Sequence, residues 1–514
     1  MKLTYPLELS TPEQHDFSDP TVERNEKQLR TWLINLPLMD VTETVRLVLG
    51  ALNSLNQQKL ETEQRFRLLN IYADTAQRLY VTMEPSHLRQ LALSKSQQQQ
   101  ATEGVNQLLL AMADGYKLVI KSLYKAVDVN RPERLFGMAI KHAMEQLGYA
   151  LLDGYRYYRA VPPMVFSELH QLYRIARHYG LLGLADERSH DTEMPLTISA
   201  NYHATLLLAL VDPFRLVEGE VAMLHDVLVQ HADKCRVIPG GNWPDAAEGL
   251  FFMDLRSGAA PVAHPPQEMS QQADEPYILD AREALQAIHD QLDQTPVKVR
   301  MQSPEAIILR RLWPEAIDIK QQREPRKTES GEIGLLLGLM DIHGYLSMAV
   351  STLPDSPLIT RTQPVEPSPG RIVNSSQDGR RLYWKEDACS SVCVGELMGL
   401  VEEGGRLTLA VVRNMRISPE GGMEIGVQLI RGPCAPIYCR ASGDEESMAL
   451  PALFMPGDEA QQAASSLVTA EGGYAEDSRI LINIAGQEIR ARVGRGLLET
   501  PVFKHFEFST GSKL

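Results

Sequence analysis

Two short stretches of this chain carry side chains able to grip a charged ligand. The first, residues 310–327, holds Arg310, Arg311, Lys320, Arg323, Arg326 and Lys327 against Glu315, Asp318 and Glu324. Arg323 and Arg326 flank Glu324-Pro325, and a residue that precedes proline is held extended. Extended guanidinium groups clamp phosphate oxygens two at a time and stack on bases. On charge alone, the same run also fits a solvated stretch that balances nearby acids. The second stretch, Asn374-Ser375-Ser376-Gln377-Asp378-Gly379, reads N-x-S-x-x-G. Asn and Ser offer short hydrogen-bonding groups for a base edge or a phosphate oxygen. Gly permits positive φ or close backbone approach. Taken alone, this motif is an ordinary polar β-turn.

These residues need a frame to hold them. Residues 333–340, 370–373, 380–384, 392–397, 406–416, 423–430 and 437–440 read as short strands. Turn signals such as Gly404-Gly405 and Gly421-Gly422 separate them. Short strands at close spacing predict a small barrel or sandwich. Further strands are expected at 449–455, 480–484, 488–493 and 503–508. Before residue 235 the periodicity is helical, with Val41, Val45, Val48, Leu52 and Leu55 as one stripe. Helices are expected over 58–93, 102–128, 132–160, 164–181, 196–211 and 213–232, with Gln97–Gln100 a loop or an exposed helix end. Residues 236–243 read as a loop, 249–254 with 260–263 as a short hairpin, 264–276 as a linker, and 278–294 and 303–313 as helices. The expected organisation is therefore α+β and multidomain. It comprises a helical bundle or solenoid over 1–235, a mixed connector and linker over 236–302, a β-barrel over 303–440 and a small β-rich C-terminal extension over 441–514.

The whole-chain numbers narrow the function. At 514 residues, about three domains are expected. Lys+Arg is 51 and Asp+Glu 66, so the formal charge is −15. An acidic surface repels phosphate backbones, which argues against a nucleic-acid polymer as partner. No apolar run is long enough to span a membrane, and the start of the sequence lacks a secretory signal pattern. Five cysteines, an odd and sparse set, point to the reducing cytoplasm.

Together the motifs resemble a known family. An arginine-bearing segment is followed by N-x-S-x-x-G and by a strand ending in Val394-Gly-Glu-Leu397. Next come Leu407-Thr-Leu-Ala-Val-Val-Arg-Asn-Met-Arg416 and Gly422-Met-Glu-Ile-Gly-Val-Gln-Leu-Ile430. This order resembles the PilZ domain, the bacterial receptor module for cyclic di-GMP, over roughly residues 305–440. The whole arrangement is similar to large proteobacterial PilZ proteins with a helical N-terminal half. The resemblance implies a six-stranded barrel that binds its ligand without catalysis, cofactor or metal. It implies that an R-x-x-x-R segment and a (D/N)-x-S-x-x-G strand grip the dinucleotide, so Asn374, Ser376 and Gly379 take the second motif. The first motif departs from the pattern. Arg323 has Lys327 four residues on and Arg326 three residues on, so either pairing is open. Two guanines and two phosphates suit such a site, because guanidinium matches the O6/N7 acceptor pair of guanine. The implied function is a cytoplasmic cyclic di-GMP effector whose helical domain docks an unidentified protein partner. The alternative is a scaffold with a degenerate, non-binding barrel.

Other motifs carry less. Residues 434–440 read C-x5-R, the tyrosine-phosphatase pattern, with Trp243-Pro244-Asp245 as a conceivable acid loop. Pro436 removes a backbone donor from the cradle such a thiolate requires. Cys389, Cys393, Cys434 and Cys439 have near-zinc spacing, but no glycine knuckle lies between them, so buried thiols are the preferred reading. His170, His203 and His225 fall in helices without an H-E-x-x-H pattern. Tyr149, Tyr155, Tyr157 and Tyr158 near Arg156 and Arg159 are expected to pack a helical hairpin.

Overall fold

The computed structural model describes residues 7–16, 22–88, 90–124, 127–128, 132–185, 196–240, 248–263, 272–296, 300, 302–314, 331–351, 365–385, 392–418, 421–442, 449–457, 464–472, 474–484 and 487–510. The chain divides into two compact units. One is Met1–Pro213 with Glu218–Gln321, and the other is Phe214–Val217 with Gln322–Leu514.

The first unit is helical. It contains α1 (Glu26–Ile34), α2 (Val41–Gln57), α3 (Thr62–Thr82), α4 (Pro85–Leu88), α5 (Lys95–Tyr124), α6 (Arg134–Arg156), α7 (Pro163–His178), α8 (Ile198–Leu210) and α9 (Glu220–His231). Asn25 and Asp40 cap α1 and α2 by accepting from backbone N–H groups of the first turn. Helix α5 packs against α2, α3 and α6. Gln97–Gln100 sits in its first turns, mostly exposed, so the run is a helix end.

A buried ion group lies inside this unit. Lys117 Nζ reaches the Glu168 carboxylate at 2.7 Å and Asp114 at 2.7 Å, and it donates to Ser10 Oγ at 3.3 Å. Ser10 in turn donates to Glu168 through its backbone N–H and its hydroxyl. The leading segment of the described chain is thereby fastened to α5 and α7.

Next come β1 (Arg236–Pro239), β2 (Leu250–Asp254) and β3 (Pro276–Asp280), which form one sheet in the order β1-β3-β2. Helices α10 (Arg282–Gln294) and α11 (Pro304–Leu312) follow. Residues 236–239, expected as loop, are thus a strand. This strand is short and largely exposed, so it shows no inside–outside alternation to read.

The second unit holds two closed barrels. The first is built from β4 (Gly331–Leu337), β5 (Ser368–Ser375), β6 (Gly379–Trp384), β7 (Leu397–Val401), β8 (Leu407–Ile417) and β9 (Met423–Ile430). The second is built from β10 (Ala435–Ala441), β11 (Leu450–Met455), β12 (Ser466–Ala470), β13 (Arg479–Ile484), β14 (Gln487–Glu499) and β15 (Phe503–Thr510). Their orders, β4-β5-β6-β9-β8-β7 and β10-β11-β12-β15-β14-β13, are the same path followed twice, and each pairing is antiparallel. The β-rich extension expected at the C-terminus is therefore itself a closed six-stranded barrel. Residues 437–440, expected in the preceding barrel, belong to its first strand, β10.

Residues 333–340 do not form one strand. Gly338, at φ +77°, ends β4, and α12 (Gly338–Ser351) begins there. Leu339 and Ile342 of α12 join Leu336, Leu397, Val401, Leu409 and Val411 of the first barrel in one buried cluster. Leu453, Met455, Val468 and Phe503 of the second barrel belong to that same cluster. His343 of α12 meets the carbonyl of Ile437 at 3.0 Å. This shared core explains why every residue of β7 is buried, and not only alternate ones.

Among the described residues no helix is long and apolar enough to cross a membrane.

Candidate functional site

The N-x-S-x-x-G motif forms the hairpin turn between β5 and β6. Ser376 N donates to the Gly379 carbonyl at 2.7 Å, and Ser376 Oγ donates to it at 3.3 Å. The Asp378 carbonyl accepts from Leu429 N at 2.9 Å. The Asp378 carboxylate takes the Arg431 guanidinium, which also reaches Gln377 O at 3.3 Å. The turn is thereby tied to the end of β9.

Gly379 serves by its lack of bulk. A Cβ there would lie 2.7 Å from the Val427 carbonyl oxygen, and its φ is not in the left-handed region. Of the two roles open to this glycine, close backbone approach is the one used.

A β-bulge sets the facing of the motif. The β5–β6 register runs Arg371↔Tyr383 and Ile372↔Leu382, then skips Val373 to resume at Asn374↔Arg381. Partners opposite one another in an antiparallel pair share a face, and residues two apart do as well. Tyr383 and Arg381 share the outer face, so Arg371 and Asn374 share it too. Leu382 and Trp384 point into the barrel.

That outer face is rich in arginine. The Arg371 guanidinium lies over the Tyr383 ring, 5.4 Å from its centroid. Both side chains line a cleft of about 650 Å³ with Glu332, Pro369 and Lys385. Arg381 lies 3.9 Å from Glu424, and Arg413 Nε donates to Gln428 at 2.9 Å. On the inner face, Arg380 donates to Glu402 at 2.8 Å. Its other terminal nitrogen is buried without a partner among the described residues. Sequence reasoning missed Arg371, Arg380 and Tyr383. The Arg380-Arg381 pair directly after Gly379 was the available signal.

The remaining expected site residues, Arg323, Arg326 and Lys327, lie outside the described residues, as do Cys389 and Trp243-Pro244-Asp245.

The competing motifs resolve into structure. Cys439 and Arg440 lie on β10, an extended strand paired on both sides, with Cys434 directly before it. This geometry offers no cradle of converging N–H groups. Burial pushes the Cys434 and Cys439 thiols up to about 11, away from the reactive thiolate. No metal-binding cluster is found among the described residues.

His170 is fully buried. Its Nε2 faces the Ala259 carbonyl at 2.9 Å, and its Nδ1 faces the Tyr202 hydroxyl at 2.6 Å. A carbonyl only accepts, so Nε2 carries the proton and the Tyr202 hydroxyl donates to Nδ1. Burial lowers the His170 and His203 imidazoles to about 4. The tyrosine–arginine group packs α6 against its neighbours. Arg156 lies over the Tyr80 ring at 4.6 Å, and Tyr157 donates to the Met83 carbonyl.

A helical unit followed by a PilZ-type barrel, with the polar turn of the motif between its second and third strands, defines a large PilZ-domain protein. Comparison with known proteins gives the same class. Three family models match in succession: "Cyclic-di-GMP receptor FimW, N-terminal domain" over residues 27–240, "Cyclic-di-GMP receptor FimW, middle PilZ domain" over 360–436, and "FimW C-terminal beta-barrel domain" over 438–511. Together they cover more than two thirds of the chain, which belongs to this family of PilZ-domain receptors. The family is one of binding proteins and not of enzymes. The chain is similar to the cyclic-di-GMP receptor FimW of Pseudomonas aeruginosa, 24% identical over an alignment of 573 positions. That alignment spans 98% of this chain and 93% of that protein. No solved structure matches the chain.

Proposed function

We propose that this protein is a cytoplasmic cyclic di-GMP effector. Its first barrel captures the nucleotide, and its helical unit docks a protein partner. Asn374, Ser376 and Gly379 present the polar strand, and Arg323, Arg326 and Lys327 supply the closing cations. Cyclic di-GMP is the ligand, and no cofactor is required.

The observation that carries this reading is the outer face made by the bulge, where Asn374, Arg371, Tyr383 and Arg381 stand together. A dianion with two guanines needs fixed cations and a flat surface for stacking, and this face supplies both. Chain connectivity adds support. Gly331 is the register partner of Ile372, two residues from Asn374. Lys327 precedes Gly331 by four residues and Arg323 by eight. At no more than about 3.6 Å per residue, the backbone cannot carry them farther than about 14 Å and about 29 Å from Gly331. The formal charge of −15 disfavours nucleic-acid polymers, whereas a small dianion meets the local field, in which Arg371 and Lys385 share the cleft with Glu332, Glu402 and Glu403.

Isothermal titration of the full chain with cyclic di-GMP tests the reading. Saturable binding that is weakened by Arg323→Ala, Arg326→Ala and Ser376→Ala is expected. No heat at tens of micromolar ligand would sink the sensor and leave the scaffold reading standing.

A further inference from the structure

We propose that the groove between α1, α2 and α3 docks an acidic amphipathic helix from a partner protein. This rests on the reading that the helical unit binds a partner, and it supplies the place and the chemistry.

The groove encloses about 450 Å³, with Leu33, Val41, Ile71, Thr75 and Leu79 among its lining. Where the chain turns from α1 into α2, Ile34 is 77%, Leu38 54% and Met39 99% exposed. Scattered single apolar residues on a surface need no explanation, but three within six positions beside an apolar groove mark an interaction site. The α3 wall runs from Ile71 to Thr82. At about 1.5 Å per residue this is about 16 Å, the length of three turns of a docked helix.

The rim selects the charge of that helix. Arg30 and Arg78 border the groove, and Asp74 is the only carboxylate lining it among the described residues. Arg78 Nε donates to the Asp74 backbone carbonyl at 3.2 Å. Neither arginine is ion-paired among the described residues, although the chain as a whole carries −15. Long-range repulsion from that net charge fades beyond about 8–10 Å in physiological salt, so the two rim cations govern the final docking. A second copy of this chain is a poor occupant. A two-fold interface sets the same rim against itself, and like-charged arginines would then face each other.

Fluorescence anisotropy on the full chain tests this. One labelled peptide of about 14 residues carries Leu at helical i, i+3, i+4, i+7 spacing flanked by Glu. A second peptide carries Lys in place of each Glu. The Glu peptide is expected to bind saturably, at least about tenfold tighter than the Lys peptide. Leu38→Asp, at an exposed turn, abolishes that binding, and Arg30→Glu with Arg78→Glu reverses the preference. Equal affinities, or no effect of Leu38→Asp, overturns the proposal. So does sedimentation showing a dimer that Leu38→Asp dissociates, because the groove would then hold a second copy. Cyclic di-GMP titration of the same samples keeps the two readings apart. Nucleotide binding with no peptide binding removes only the groove, and peptide binding with no nucleotide binding removes only the sensor.

Discussion

Arg371 and Asn374 face the same side of the barrel, although their odd separation in sequence would put them on opposite sides of a regular strand. The bulge at Val373 makes the difference. Arg371→Ala is therefore expected to weaken cyclic di-GMP binding about tenfold, a loss of about 1.4 kcal/mol. Arg371→Lys should recover little, because a point charge stacks poorly on Tyr383. Titration calorimetry with both variants measures this. Unchanged affinity in Arg371→Ala would remove the cation–π pair from the site.

Gly379→Ala tests the close approach to Val427. The added methyl meets a backbone oxygen at 2.7 Å, which cannot rotate away. The hairpin must shift, at a cost of about 1–3 kcal/mol. Nucleotide affinity should fall with it, and more than in Ser376→Ala, which removes one hydroxyl and leaves the backbone in place. Thermal unfolding beside calorimetry ranks the two variants.

The buried ion group predicts strong non-additivity. Lys117→Met leaves Glu168 charged at 3% exposure and should cost about 3–5 kcal/mol. Adding Glu168→Leu should recover part of that loss, because the more deeply buried carboxylate is removed, while Asp114, 32% exposed, can still reach water and Ser10 loses its acceptor. Denaturant midpoints for both single variants and the pair complete the cycle. A double variant no more stable than Lys117→Met would contradict this.

The helical unit should weaken in acid. His170 and His203 titrate near 4 in the fold against about 6.5 when unfolded. Between those values the unfolded chain holds more protons, so their contribution is complete above about pH 6.5 and lost as pH falls toward 4. Asp153 opposes them, because burial raises its carboxyl to about 6 and the fold then holds the extra proton. Asp153→Asn should therefore lose stability more steeply than wild type between pH 6.5 and 4. Urea unfolding at stepped pH reads the slopes.

Phe503→Ala probes the joint between the barrels. This side chain is 1% exposed in the cluster shared by both, and its loss should cost about 3–5 kcal/mol. Faster amide exchange is expected in β7 and β8 as well as in β12 and β15. Exchange confined to the second barrel would show that the two fold independently.

The sequence carried the polar turn better than its setting. Asn374, Ser376 and Gly379 were legible as a turn because turn chemistry is local, and β8 and β9 because the glycine pairs Gly404-Gly405 and Gly421-Gly422 bound them. The arginine face was hidden, because a one-residue bulge inverts the facing and leaves no compositional trace. Helix α12 was read into β4, since Leu335, Leu336, Leu337, Leu339 and Met340 form one apolar run and only the backbone of Gly338 divides it. Strand β12, Ser466–Ala470, went unread because four of its five residues are buried and strict alternation is lost.

The apolar seam along α12 has a practical consequence for anyone seeking a minimal nucleotide-binding fragment. Cutting the chain after β9, where the family motifs stop, would strip Leu453, Met455, Val468 and Phe503 from their neighbours and leave a greasy scar on the excised piece. The smallest soluble sensor should begin before the arginine segment and retain everything through residue 510.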